Sequence, residues 1–196
     1  MFKRNLFIGF TGLFFVLVLS QTSQAFTIFT KEEALKTIFG KSAEIVKETQ
    51  QITGKVRDKI LERLGGTLVY TQEGSESGIV DEQATVDFHF ATKNGKKYGV
   101  AIIEVQPGKW GPVEFIVAMD LKGIVRSVKV MSYYEQRGRP IAQGSFMRQY
   151  KGKSGKSQLI VGKDIIGVSG ATISSRAATF TVKKAITLYE EFYSNK

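Results

Sequence analysis

At 196 residues, with 42% hydrophobic and 23% charged side chains, the chain has the size of one large domain or two small ones and the composition of a globular protein with a real core. It contains no cysteine, which excludes disulfides, thiolate zinc sites, iron–sulfur clusters and c-type haem attachment, so a redox cofactor here would be organic. The formal charge of +10 and pI near 9.7 admit anionic partners, yet Lys and Arg are spread along the chain without forming a block interleaved with aromatics, and nucleic acid is not expected.

Met1 to Phe26 reads as a secretory signal (residues 1–25, with the mature chain from Phe26). Lys3 and Arg4 give the positive start, Leu6 to Leu19 the apolar run, and Ser23-Gln24-Ala25 a small-x-small cleavage site. The apolar run falls short of the roughly 20 residues that span a bilayer. The expectation is a periplasmic or extracytoplasmic chain with no membrane span in its mature part. Residues 26–196 are expected to form a single domain whose first part, 26–66, is helical. There Thr30-Lys31-Glu32-Glu33 has the form of a capping box. Leu35, Ile38 and Phe39 share a helix face, Ile45 and Val46 follow past a break at Gly40, and Val56, Ile60, Leu61 and Leu64 mark a second helix ending at Gly65-Gly66.

Glu73 to Gly78 is a loop by composition. From Thr85 the apolar period changes to two: Val86, Phe88 and Phe90 alternate with Thr85, Asp87 and His89, and Asn94-Gly95 turns the chain into Tyr98 to Val105. A turn over Pro107 to Pro112 leads to a second hairpin, Val113 to Met119 and Ile124 to Met131, around Asp120 to Gly123. These segments predict an α+β fold, an antiparallel sheet of four or more strands packed with N-terminal helices and a C-terminal helix. His89, the only histidine, is placed on the face away from Phe88 and Phe90 and is expected to be exposed. With no second ligand at matching spacing, it reads as neither a catalytic base nor a metal ligand.

Tyr133 to Pro140 is a polar, aromatic-led loop at a strand end, where functional residues gather. A short helix is expected within Ala142 to Tyr150, with Phe146 and Tyr150 inward. Gly155-Lys156-Ser157 matches the close of a phosphate-binding P-loop, but Tyr150 stands where the first glycine belongs and no strand runs into the segment, so it reads as a basic turn. Ser169-Gly170-Ala171-Thr172-Ile173-Ser174-Ser175 opens the last helix, whose Ala178, Val182, Ala185, Ile186 and Tyr189 fall at helical spacing. Small residues there let a bulky group approach, and hydroxyls beside free helix N–H groups suit a phosphate. The physics leaves a helix cap and a cofactor seat both open.

That stretch, with Tyr134-Glu135-Gln136-Arg137-Gly138, Phe146 to Gly152 and the Asp120 to Gly123 turn, resembles the FMN-binding domain family. The family includes the peripheral flavoprotein subunits of sodium-pumping quinone reductase and Rnf-type complexes and many small exported flavoproteins. The resemblance implies FMN joined through a phosphoester to Thr172 by a flavin transferase that uses FAD as donor. It also implies that Ser169, Gly170, Ala171, Ser174 and Ser175 surround the phosphate, with Glu135, Gly138 and Tyr134 near the flavin. Tyr133 and Met131 are further candidates for ring or ribityl contacts. The family commonly places an aspartate recognised by the transferase six residues before the threonine; here that position is Ile166, and Asp164 stands two residues earlier.

The leading reading is an exported electron carrier between a membrane-bound donor and an extracytoplasmic acceptor, with the cofactor doing the redox chemistry. A noncovalent FMN-dependent reductase and a non-redox exported binding module are the alternatives. An electron-transfer protein or redox-complex subunit is favoured over a stand-alone enzyme.

Overall fold

The computed structural model describes residues 26–71, 83–109, 111–134, 141–142 and 144–194. Its centre is a six-stranded antiparallel sheet of β1 (Phe26–Thr27), β2 (Glu44–Gln51), β3 (Thr85–Lys93), β4 (Lys96–Pro107), β5 (Pro112–Met119) and β6 (Val125–Tyr133), in the order β1-β6-β5-β4-β3-β2. The two predicted hairpins supply its middle. Asn94 and Gly95 turn β3 into β4 with φ of 53° and 72°, the left-handed pair a tight hairpin requires. In the β5–β6 turn the Asp120 carboxylate accepts the N–H groups of Lys122 and Ile124 at 3.0 and 2.9 Å.

Helices cover both faces. α1 (Lys31–Phe39) starts at the predicted capping box, where the Thr30 N–H donates to the Glu33 carboxylate at 2.8 Å and the Glu33 N–H to the Thr30 hydroxyl at 3.3 Å. Its Ala34 and Leu35 pack on Ala101, Ile116, Ala118 and Met131. α2 (Gly54–Leu64) and α4 (Thr172–Tyr189) cover the other face, where Ile60, Leu64, Ala178, Val182 and Ile186 meet Phe88, Ile102, Phe115 and Val117. Phe88 is fully buried against the rings of Phe192 and Tyr193, a burial that contributes on the order of 2 kcal/mol.

The N-terminal part differs from the predicted all-helical segment: Ile45 and Val46 lie in β2, which pairs with β3 from Glu44↔Thr92 to Gln51↔Thr85, and Phe26–Thr27 pairs with β6. Glu44, Lys47 and Glu48, with an exposed Val46 between them, fit an edge strand, and pairing with β3 overrides local helical character. His89 differs too: it is buried beneath α1, because the face away from Phe88 and Phe90 is covered by α1 and not by solvent.

Two smaller elements complete the chain: α3 (Gly144–Met147), which runs into a 3₁₀ turn at Arg148–Tyr150, and a π turn at Glu190–Ser194 that extends α4. Phe146 and Tyr150 are buried as expected. Among the described residues no helix is long and apolar enough to cross a membrane.

Candidate functional site

α4 begins at Thr172, and its N-cap residue is Ala171, which has no side chain able to accept the first-turn N–H groups. A helix start normally recruits Ser, Thr, Asp or Asn for that task. The N–H groups of Thr172 and Ile173 therefore have no acceptor among the described residues, and the exposed Thr172 hydroxyl makes no hydrogen bond there. Before them, the Ala171 N–H closes a turn onto the Val168 carbonyl at 3.0 Å, with Gly170 at φ 76° and open space around it. That left-handed φ requires glycine, and the turn leaves Ser169 exposed beside Thr172. Two orphan donors, the positive end of an 18-residue helix and a free hydroxyl fit a phosphate. These features favour a cofactor seat over a capped helix start.

The hydroxyls of the signature divide into two roles. Ser169 and Thr172 are exposed. Ser175 is fully buried and structural: its hydroxyl donates to the Ala171 carbonyl at 2.9 Å and accepts from the Val168 N–H at 3.0 Å, which ties the turn to the helix. Ser174 is also buried, at 1% exposure.

The turn is held from outside by a side chain that the sequence did not single out. The Gln149 amide forms a reciprocal pair with the Ile166 backbone, accepting its N–H at 2.8 Å and donating to its carbonyl at 3.0 Å. The Asp164 carboxylate accepts the N–H groups of Leu159 and Ile160 and pairs with the Lys153 ammonium at 2.9 Å. Burial raises its pKa, but those hydrogen bonds and the Lys153 charge outweigh burial and hold it at about 2. Asp164 is thus committed to its own loop, while the Ile166 side chain projects into solvent at 77% exposure. Deeper in, Thr179 donates to the Ser175 carbonyl and lies 2.9 Å from the Tyr150 hydroxyl, joining the 3₁₀ turn to α4. The basic segment from Lys151 to Ser157 is a strap: Gly152 and Lys153 bond Val125, and Ser154 and Ser157 close their own turn.

α4 is fixed lengthwise by a buried ion pair, Lys184 to Glu104 at 2.6 Å, with the Lys184 ammonium also donating to Gln83 at 2.6 Å. Its C-terminal end rests on the β5–β6 turn, where the Tyr189 hydroxyl donates to the Leu121 carbonyl at 3.0 Å. Thr172, about 18 Å along the helix from Lys184, therefore lies toward the opposite end of the sheet. There β4 turns into β5 and β6 ends. At that end Tyr134 packs so closely on Gly111 that an added Cβ would stand 2.7 Å from the Tyr134 Cβ. One helical turn past Thr172, Arg176 meets the Tyr70 hydroxyl, whose pKa burial raises, and Phe180 lies 6.0 Å from the Tyr70 ring.

The structure thus brings Ser169, Gly170, Ala171 and Thr172 together and places Tyr134 at the same end of the sheet. Glu135 and Gly138 lie outside the described residues. Met131 does not belong to this group: it is buried under α1, on the sheet face opposite α4. Tyr133 is buried on the α4 side, stacked on Phe26 at 5.9 Å. The Lys184–Glu104 pair was invisible to sequence reasoning because its partners stand 80 residues apart, and Lys at a core position of α4 was the one available signal. No group of three or more His, Asp or Glu able to hold a metal occurs among the described residues.

Known proteins share part of this chain's sequence. Residues 108–187 match the model of a family described as the FMN-binding domain. The chain is 26% identical over 127 residues to a component of the Na(+)-translocating ferredoxin:NAD(+) oxidoreductase complex of Acetobacterium woodii, across 59% of this chain and 61% of the relative. It is 29% identical over 117 residues to a component of the proton-translocating ferredoxin:NAD(+) oxidoreductase complex of Clostridium ljungdahlii, across 56% of this chain and 63% of the relative. The chain therefore spans about three fifths of the length of the curated relatives it matches.

Proposed function

Residues 108–187 belong to the FMN-binding domain family and the cofactor is FMN; from that premise we propose that the chain is an exported electron carrier holding FMN through a phosphoester to Thr172. The observation that carries this reading is the first turn of α4, where an uncapped start leaves the Thr172 and Ile173 N–H groups and the Thr172 hydroxyl without partners among the described residues. Bound FMN supplies the redox chemistry, taking up and releasing one or two electrons. In this reading the Thr172 oxygen would fix the phosphate, the two N–H groups and the helix dipole would neutralise part of its charge, and the exposed Ser169 hydroxyl would donate to it. Ser175 and Gln149 hold the turn in shape, and the Lys184–Glu104 pair sets the position of the whole helix. The family resemblance implies that Tyr134, Glu135 and Gly138 belong to the flavin-contacting group.

Maturation calls for a flavin transferase, and function for a membrane-bound or extracytoplasmic redox partner. The names of the relatives support such a partner, since both belong to ferredoxin:NAD(+) oxidoreductase complexes. Export is supported by the signal-like start of the sequence.

A second reading rests on Ile166. An exposed apolar side chain occupies the position at which the family commonly carries the transferase-recognised aspartate, and Asp164 is engaged elsewhere, which favours FMN held without a covalent bond. One preparation tests both readings. Protein made together with the transferase should be yellow, bleach with dithionite, recover with ferricyanide, and keep its colour after denaturation and desalting. Colour lost at the desalting step selects the second reading, and a colourless protein overturns both.

A further inference from the structure

The sheet edge beside β6 holds a groove of about 420 Å³, walled by Ile28 and Phe29 on one side and by Met147, Arg148 and Lys151 on the other. β6 pairs with β5 along its inner edge. Along its outer edge Gly152 and Lys153 bond Val125, Ile28 and Phe29 bond the Met131 carbonyl, and β1 pairs with Ser132 and Tyr133. Between these contacts, over residues 126–130, the outward backbone N–H and C=O groups have no partner strand among the described residues. Val125 and Met131 are about 20 Å apart along extended chain, which leaves room for roughly four residues of a further strand.

The charge around this gap has one sign. Arg126 is neutralised by Asp120 at 2.6 Å, but Lys129, Arg148 and Lys151 have no carboxylate partner among the described residues. The Lys129 ammonium lies 5.4 Å from the Phe29 ring centre, on the α1 side of the gap, and Arg148 and Lys151 stand on the other. The opposite sheet edge is different: in β2, Lys47 is paired with Asp87 and Glu48 with Lys97. Lysine on an open edge repels a second copy of a chain whose net charge is +10, so self-pairing is disfavoured and an acidic strand is not.

We propose that this groove takes an extended acidic segment of a partner polypeptide, which adds to β6 as a strand. Alternation along such a segment sends successive side chains to opposite walls, so carboxylates meet Lys129 on one side and Arg148 and Lys151 on the other. Main-chain hydrogen bonds to residues 126–130 supply the docking, and the cations select the partner's charge. None of the residues that line the groove belongs to the Ser169–Ser175 stretch.

A fluorescein-labelled six-residue peptide of Glu and Val serves as the probe, read by anisotropy at low salt with the full chain. Binding should slow amide exchange within residues 126–130. It should weaken at least tenfold in Lys129→Glu and in Arg148→Glu/Lys151→Glu, whose unfolding midpoints should match the wild type because these side chains are solvent-accessible. A backbone N-methylated version of the peptide should also lose at least tenfold. Equal binding of the methylated peptide would reduce the groove to a nonspecific cationic patch and overturn strand addition. Binding of phosphatidylglycerol vesicles through the same cations, with no peptide binding, would overturn it in favour of a membrane surface.

Discussion

Replacing Lys184 by methionine tests whether α4, and with it the flavin seat, is anchored by one buried ion pair. Lys184 is 1% exposed and Glu104 4%, and the ammonium lies 2.6 Å from both Glu104 and Gln83. Removing the amine leaves the Glu104 carboxylate buried, with the Gln83 amide at 3.3 Å as its remaining side-chain partner among the described residues. Breaking a buried pair from one side costs about 3–5 kcal/mol. For a domain of this size that corresponds to a fall of roughly 6–20 °C in melting temperature. The double variant Lys184→Met/Glu104→Leu removes both charges and should lie within about 2 kcal/mol of the wild type, since an apolar replacement of a buried pair is often near neutral. Urea unfolding followed by circular dichroism gives all the midpoints, and the cycle should show a coupling of at least about 2 kcal/mol. A single variant that loses under about 1 kcal/mol, or a double variant equal to the sum of the two singles, would refute the anchoring role.

His89 predicts a pH dependence. Burial depresses its pKa first, and the nearby Lys31 and Lys47 charges depress it further, against opposing effects of Asp87 and the adjacent Ala101 backbone. The ring nitrogens are buried with no partner within hydrogen-bond geometry among the described residues. The unfolded chain takes up this proton first, so stability is full above the ordinary histidine pKa of about 6.5 and falls as pH drops through it, by at most about 1.4 kcal/mol per pH unit. Unfolding midpoints between pH 7.5 and 5.5 should show this fall in the wild type and a flatter profile in His89→Leu; identical profiles would remove His89 from the account. Ser175→Ala should leave the buried Ala171 end of the turn without its tie and the Val168 N–H unpaired, at a cost of about 1–3 kcal/mol, with FMN loading lowered in a mass assay of the refolded protein. Gln149→Ala should loosen only the turn, reducing loading while the melting temperature changes by a few degrees; unchanged loading would make the Gln149–Ile166 pair incidental.

Local sequence signals carried much of the fold. The capping box at Thr30, the Asn94-Gly95 hairpin, the Asp120 turn and the apolar spacing of α4 each encode their element within a few residues. β2 was hidden because its strand character comes from pairing with β3, and its mixed charges satisfy a helix as well as an edge strand. His89 was misjudged for a related reason: alternation says which face a residue takes, but not that α1 covers that face. At the site, the signature showed where small residues and hydroxyls concentrate. Only the backbone geometry separated the free Thr172 hydroxyl from the committed Ser175 hydroxyl, and only the fold brought Gln149 and Lys184 to their partners.

We propose Thr172 as the point of FMN attachment. Intact-mass spectrometry of the denatured chain, produced with the flavin transferase, measures it most directly. The wild type should gain the mass of one FMN less one water, Thr172→Ala should gain nothing while folding normally by circular dichroism, and Ser169→Ala should still gain it. A wild-type mass without the addition, or an addition that persists in Thr172→Ala, would contradict the account.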